Sequence, residues 1–162
     1  MKIKKIYLDM DGVLTDFHRR YAELFGENAS GEDRPNKKDS VNWTKFVLSN
    51  QFETLDWFPG SKKLLEFVDS ANVPIEILSS TGGAKYFTEV RNQKVVWLNN
   101  AKILYQSNLV PGRRVKRFYA FPGSVLIDDT PDVIEEFNKY GGIGILHTDA
   151  DKTINELKEL MK

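Results

Sequence analysis

Short apolar runs alternate along the chain with amphipathic stretches. Ile3–Leu8, Pro74–Leu78, Ile103–Tyr105, Ser124–Ile127 and Ile143–Leu146 carry β-branched and aromatic residues in the manner of buried strands. Ser61–Ser70 follows Pro59-Gly60 and sets Leu64, Leu65 and Val68 on one side, a helical pattern. Ala84–Asn100 does the same with Phe87, Val90, Val95 and Leu98. Pro131–Tyr140 opens after Asp129-Thr130, a capping residue followed by proline at the first helical position. Thr148–Met161 brings Ile154, Leu157 and Met161 onto one face. Strands alternating with helices predict β-α-β units, and so an α/β fold with a mostly parallel sheet flanked by helices.

One segment breaks the alternation. Glu27–Asn42 is polar and turn-rich, and Trp43–Phe58 is aromatic-rich. The pattern predicts a small helical insert over about 17–58, placed after the first strand. The rest, 1–16 and 59–162, forms the core of a single domain. The length of 162 residues suits one domain able to bury its own core.

Composition narrows the chemistry. There is no cysteine, so disulfides and thiolate-held metal centres are excluded. The 23 basic residues balance 23 acidic ones, so no global charge draws the chain to nucleic acid. The first apolar run is cut short by Asp9, unlike a secretory signal. No stretch approaches the about 20 apolar residues of a membrane span. The expectation is a cytoplasmic protein.

In a parallel sheet the ligand sits beyond the carboxyl ends of the strands. Three polar motifs fall there: Asp9-Met10-Asp11-Gly12-Val13, Ser79-Ser80-Thr81-Gly82-Gly83 and Asp128-Asp129-Thr130. Each alone reads as an ordinary turn or cap. Together they gather four carboxylates at one end of one sheet. Crowded like charges repel unless a cation holds them, and an all-oxygen set suits Mg²⁺. Other readings fail on position. An EF-hand loop starting at Asp9 would need glycine and glutamate where Leu14 and Arg20 stand. No phosphate-binding G-x-x-x-x-G-K-[ST] motif and no G-x-S-x-G elbow occurs.

This ordered set resembles the haloacid-dehalogenase superfamily of aspartate-nucleophile phosphatases. Asp9–Leu14 resembles its first motif, Ser79 its second, Lys94 its third by order along the chain, and Asp128-Asp129 its fourth. Within it the chain is most similar to the 5′(3′)-deoxyribonucleotidase group, on Asp9–Phe17, Phe52–Gly60, Lys94–Leu98 with its Lys-x-x-Trp pattern, and Leu126–Asp132.

The resemblance implies a Rossmann-like core with a small cap and a Mg²⁺-dependent phosphomonoesterase acting on nucleoside monophosphates. It implies Asp9 as nucleophile, Asp11 as general acid and base, and Ser79 and Ser80 as phosphate contacts. Lys94 would stabilise the charge on Asp9 and on the transferring phosphoryl. Gly12 would let the backbone approach the phosphate. Asp9, Asp11 through its backbone carbonyl, and Asp129 would hold Mg²⁺, with Asp128 the second choice for the last place. Phe17 and Phe52 would offer ring faces to a nucleobase, while Trp43 and Phe46 would form the insert's own core.

Arg113, Arg114, Lys116 and Arg117 form the one basic cluster, expected as a solvated face. Their other reading is contact with substrate phosphate or a nucleic-acid end. Phosphatase action on another small ester or on a nucleic-acid end therefore stays open. So does a non-catalytic binding module, although a pure binder needs no paired nucleophile and acid.

Overall fold

A computed structural model gives the fold of residues 2–26 and 41–162, the residues described below. Five strands, β1 (Lys5–Leu8), β2 (Ile75–Ser80), β3 (Gln106–Val110), β4 (Ser124–Asp128) and β5 (Ile143–Leu146), form one sheet in the order β3-β2-β1-β4-β5. Every pairing is parallel. Six α-helices accompany it: α1 (Phe17–Phe25), α2 (Val41–Leu48), α3 (Ser61–Ser70), α4 (Phe87–Asn100), α5 (Pro131–Lys139) and α6 (Ala150–Leu160). The α/β architecture is the one the alternation predicts.

The third strand differs from the prediction. It lies at Gln106–Val110, just after the apolar run Ile103–Tyr105. Among the described residues β3 is an edge strand paired only with β2, so polar Gln106, Ser107 and Asn108 are tolerated on it. Ile103 instead packs into the core from the turn before it, while Leu104 points outward.

Strand alternation sorts the core into two layers. Ile6, Leu8, Ile77, Val125 and Ile127 face one side, where Leu64, Val68, Val90, Trp97, Ile154 and Leu157 of α3, α4 and α6 cover them. Tyr7, Leu78 and Leu126 face the other side, against Val133 and Phe137 of α5 and Val115 and Tyr119 of a 3₁₀ segment, Arg113–Tyr119. This parity decides which side chains can meet at the carboxyl end. Asp9 and Asp128 continue the parity of Tyr7 and Leu126, and so lean toward the 3₁₀ segment. Ser79 has the parity of Ile77 and leans toward α4.

The chain leaves the sheet after β1 and returns before α3, and the two crossings are tied together. Asp16 N–H donates to Asp56 O (2.9 Å) and Phe58 N–H to Leu14 O (2.8 Å). Between them lie α1, α2 and a 3₁₀ turn, Gln51–Thr54. Much of the expected polar stretch, 27–40, lies outside the described residues. Phe17, Tyr21, Trp43, Phe46 and Phe52 bury one another there, so Trp43 and Phe46 sit in the insert's core.

Helix α4 joins this cap to the sheet. Buried Gln93 accepts from Phe52 N–H (3.2 Å) and donates to Val47 O (2.7 Å), and Trp97 Nε1 donates to Leu55 O (2.8 Å). Replacing Gln93 with leucine should strand two buried backbone groups, at about 1–3 kcal/mol for each left unpaired. Urea unfolding should show that loss. A change below about half a kcal/mol, typical of an unimportant surface position, would mean the cap docks without this link.

Candidate active site

The loop following β1 makes a tight turn: Val13, Leu14 and Thr15 N–H groups all point at Met10 O. Gly12 takes a positive φ of 82° there. A Cβ on Gly12 would lie 2.0 Å from Asp129 Oδ2, so only glycine leaves room for that carboxylate. Gly12→Ala should therefore cost about 1–3 kcal/mol in backbone strain and displace Asp129. A melting curve should show the loss. A Gly12→Ala protein that melts together with wild type would show that the turn and Asp129 accommodate the added Cβ.

Asp9 is almost fully buried at the end of β1. Asp128, at the end of β4, has no solvent exposure at all. Between them stands a buried lysine, and it is Lys116. Its Nζ lies 3.0 Å from Asp9 Oδ1 and 2.6 Å from Asp128 Oδ2. Burial alone would depress the lysine's pKa, but the Asp128 and Asp9 carboxylates outweigh it and hold the ammonium above its ordinary value. Asp9 is pushed well above the usual carboxylate range by burial first and by the Asp128 charge second, against the pull of Lys116.

Lys94 serves the other parity. Its Nζ donates to Ser79 Oγ (2.7 Å), Ser80 O (2.9 Å) and Asp11 Oδ2 (3.1 Å), and lies 5.2 Å above the Phe52 ring. Lys94 thus grips Asp11 and Ser79, whereas the ammonium in contact with Asp9 is that of Lys116. The expectation of Lys116 as part of a solvated face is corrected: it is 3% exposed. Its neighbours in the cluster are engaged outside, Arg113 with Asp132 (2.8 Å) and Arg117 with Glu136 (3.8 Å).

The remaining expected residues fall as follows. Asp11 also accepts from Thr15 Oγ1 (2.9 Å), which fixes its carboxylate at the rim. Ser80 turns its Oγ back to accept from Gly82 N–H (3.0 Å) and shapes the loop after β2. Phe17 and Phe52 stack on each other at 5.6 Å and 4° between planes. They are 3% and 2% exposed, so in this conformation both are packed inside the cap's aromatic cluster.

Asp9, Asp128 and Asp129 each bring a carboxylate oxygen within 4.8 Å of the others. The donor set is all hard oxygen, which fits Mg²⁺. Asp128 is already committed: one oxygen to Lys116, the other to Thr130 N–H (3.0 Å). Among the described residues Asp129 holds only a long contact with Thr130 Oγ1 (3.3 Å) and a 3.5 Å approach from His18, so it is the less committed of the two carboxylates. With all groups ionised, the four carboxylates of Asp9, Asp11, Asp128 and Asp129 face two ammonium groups, Lys94 and Lys116. One divalent cation would balance the difference.

Comparison with solved structures agrees with the fold. A haloacid dehalogenase-like family hydrolase from Xanthomonas campestris superposes with a TM-score of 0.63 at 14% identity, over 98% of this chain and 91% of that one. A hydrolase from Streptococcus pneumoniae gives 0.61 at 15%, over 98% and 100%. One from Pseudomonas syringae gives 0.60 at 12%, over 98% and 100%. The fold and the family model together define a haloacid-dehalogenase-like hydrolase, of the phosphatase kind. More narrowly, the chain belongs to the family described as "5' nucleotidase, deoxy (Pyrimidine), cytosolic type C protein", which it matches over residues 2–157. No curated protein matches it. No helix among the described residues is long and apolar enough to cross a membrane.

Proposed function

We propose that the protein is a Mg²⁺-dependent phosphomonoesterase of nucleoside monophosphates, deoxyribonucleotides foremost, working through an aspartyl-phosphate on Asp9. The observation that carries the proposal is the pair of carboxylates after β1, each held by its own lysine: Asp9 by Lys116 and Asp11 by Lys94. Nucleophile and acid need different environments, and the site supplies them. Asp9 is buried beside a fixed cation, whereas Asp11 is partly open to the approaching ester.

In the first step an Asp9 carboxylate oxygen attacks phosphorus, forming one P–O bond as the bond to the leaving oxygen breaks. Asp11 gives its proton to that leaving oxygen. In the second step Asp11 takes a proton from water as the water attacks phosphorus. Phosphate leaves, and Asp9 is restored. Ser79 Oγ and Lys94 Nζ, already joined to each other, bind the transferring phosphoryl oxygens. Mg²⁺, when bound by Asp9, Asp129 and the Asp11 carbonyl, neutralises charge so that an anion can approach an anion.

The nucleotide part of the proposal is supported by the family and by an aromatic cap next to the site. It is tested by phosphate release from a panel of ribo- and deoxyribonucleoside 5′- and 3′-monophosphates, sugar phosphates and phosphorylated oligonucleotide ends. Deoxyribonucleoside monophosphates should lead. Preference for a sugar phosphate or an oligonucleotide end would overturn the substrate class and leave the chemistry standing.

A further inference from the structure

We infer that His18, a residue of the cap, positions the Asp129 carboxylate for Mg²⁺, so that the cap takes part in building the cation site of the core. The inference rests on the reading of Asp129 as a ligand given above. His18 stands in the first turn of α1, next to Phe17, whose ring its imidazole meets edge-on at 5.3 Å. Its Nε2 lies 3.5 Å from Asp129 Oδ2.

That oxygen also sits close over Gly12, where a Cβ would approach to 2.0 Å. Asp129 Oδ1 has Thr130 Oγ1 at 3.3 Å. Both oxygens therefore have one loose partner each, and that of Oδ2 comes from a different part of the fold. Groups that hold a metal ligand from behind set its orientation, and losing one typically costs about 10–100-fold in metal affinity.

The other histidine is placed differently. His147 is buried, its Nδ1 is joined to Thr153 Oγ1 (2.7 Å), and its ring packs on Phe58. It serves the junction of β5 with α6. His18 is half exposed at the rim, with its ring edge on Phe17 and its Nε2 turned to Asp129. Because α1 also carries Phe17 into the cap's aromatic cluster, the docking of that cluster fixes where His18 stands.

The test is calorimetric titration of Mg²⁺ into the metal-free protein, with His18→Ala and His18→Gln beside wild type. The glutamine amide can place a nitrogen donor near where Nε2 stands. Wild type should bind Mg²⁺, His18→Ala should bind it about tenfold or more weakly, and His18→Gln should recover most of the loss. The melting temperatures without Mg²⁺ should be alike, because the side chain is half exposed. Equal Mg²⁺ affinity in His18→Ala and wild type overturns the inference. So does a glutamine variant no better than alanine. Unchanged Mg²⁺ affinity with a raised KM would place His18 on the substrate instead, and also overturns it. No Mg²⁺ binding by wild type would remove the cation site itself, and this inference with it.

Discussion

Lys116→Met is expected to cost about 3–5 kcal/mol of folding stability, the usual result of removing one member of a buried ion pair. Phosphate release should fall by on the order of 10²–10³-fold. The reason is local. Asp9 and Asp128 are both buried on the same side of the sheet, and the Lys116 ammonium touches both. Methionine fills the space but leaves two neighbouring carboxylates without the ammonium they share. Arginine should not rescue the variant, since a wider planar group cannot take the place of an ammonium that reaches Asp9 and Asp128 at once while almost fully buried.

The double variant Lys116→Met/Asp128→Asn separates the two effects. It should regain much of the stability, because one buried charge is gone, and regain little activity, because Asp9 still lacks its cation. Urea unfolding and initial rates measure the two quantities. A Lys116→Met protein as stable and as active as wild type would show that the pairing with Asp9 has no consequence.

Asp9→Asn is expected to lose activity by on the order of 10⁴-fold or more, as removal of a nucleophile does, and yet to melt higher than wild type in the absence of Mg²⁺. Burial and the Asp128 charge raise the Asp9 pKa in the folded state. A carboxyl raised in this way contributes most to stability when protonated, below its ordinary value near 3.8. That contribution is lost as pH climbs through the raised value. Above the ordinary carboxylate range the metal-free wild type therefore carries the cost of Asp9 buried beside the Asp128 charge, and the neutral amide of asparagine relieves it.

The difference should narrow as pH falls toward the ordinary carboxylate range. For a chain this long each kcal/mol recovered appears as about 2–4 °C. Mg²⁺ should raise the melting temperature of wild type and have little effect on Asp9→Asn. A metal-free Asp9→Asn protein that melts below wild type would mean that the contact with Lys116 outweighs the burial of Asp9.

Much of this site could be read from the sequence because its residues follow strands. Asp9, Ser79 and Asp129 each stand just past an apolar run, and the parallel sheet brings the ends of such runs together. The same rule misplaced the third strand, since an edge strand with one neighbour needs no apolar run and Gln106–Val110 has none. The lysines were harder. Motif order along the chain singles out Lys94, but strand parity decides which ammonium reaches which carboxylate. Asp9 and Asp128 share the parity of Tyr7 and Leu126, and their partner had to come from whatever covers that side.

The covering segment, Arg113–Tyr119, is a 3₁₀ run of mixed basic and aromatic residues with no helical or strand period to show that Lys116 turns inward. A hint lay in Val115 and Tyr119, apolar positions either side of Lys116 in this mixed stretch. The packing of Phe17 against Phe52 was equally hidden, because aromatic residues of a cap core and of a base-binding wall look alike in sequence.

The most direct test of the account is the initial rate of phosphate release from deoxyribonucleoside monophosphates, measured for wild type with Mg²⁺, for wild type with a chelator, and for Asp9→Asn with Mg²⁺. The account predicts release in the first case and close to none in the other two. Equal release with the chelator, release by Asp9→Asn at the wild-type rate, or no Mg²⁺-dependent release from any phosphomonoester would contradict it.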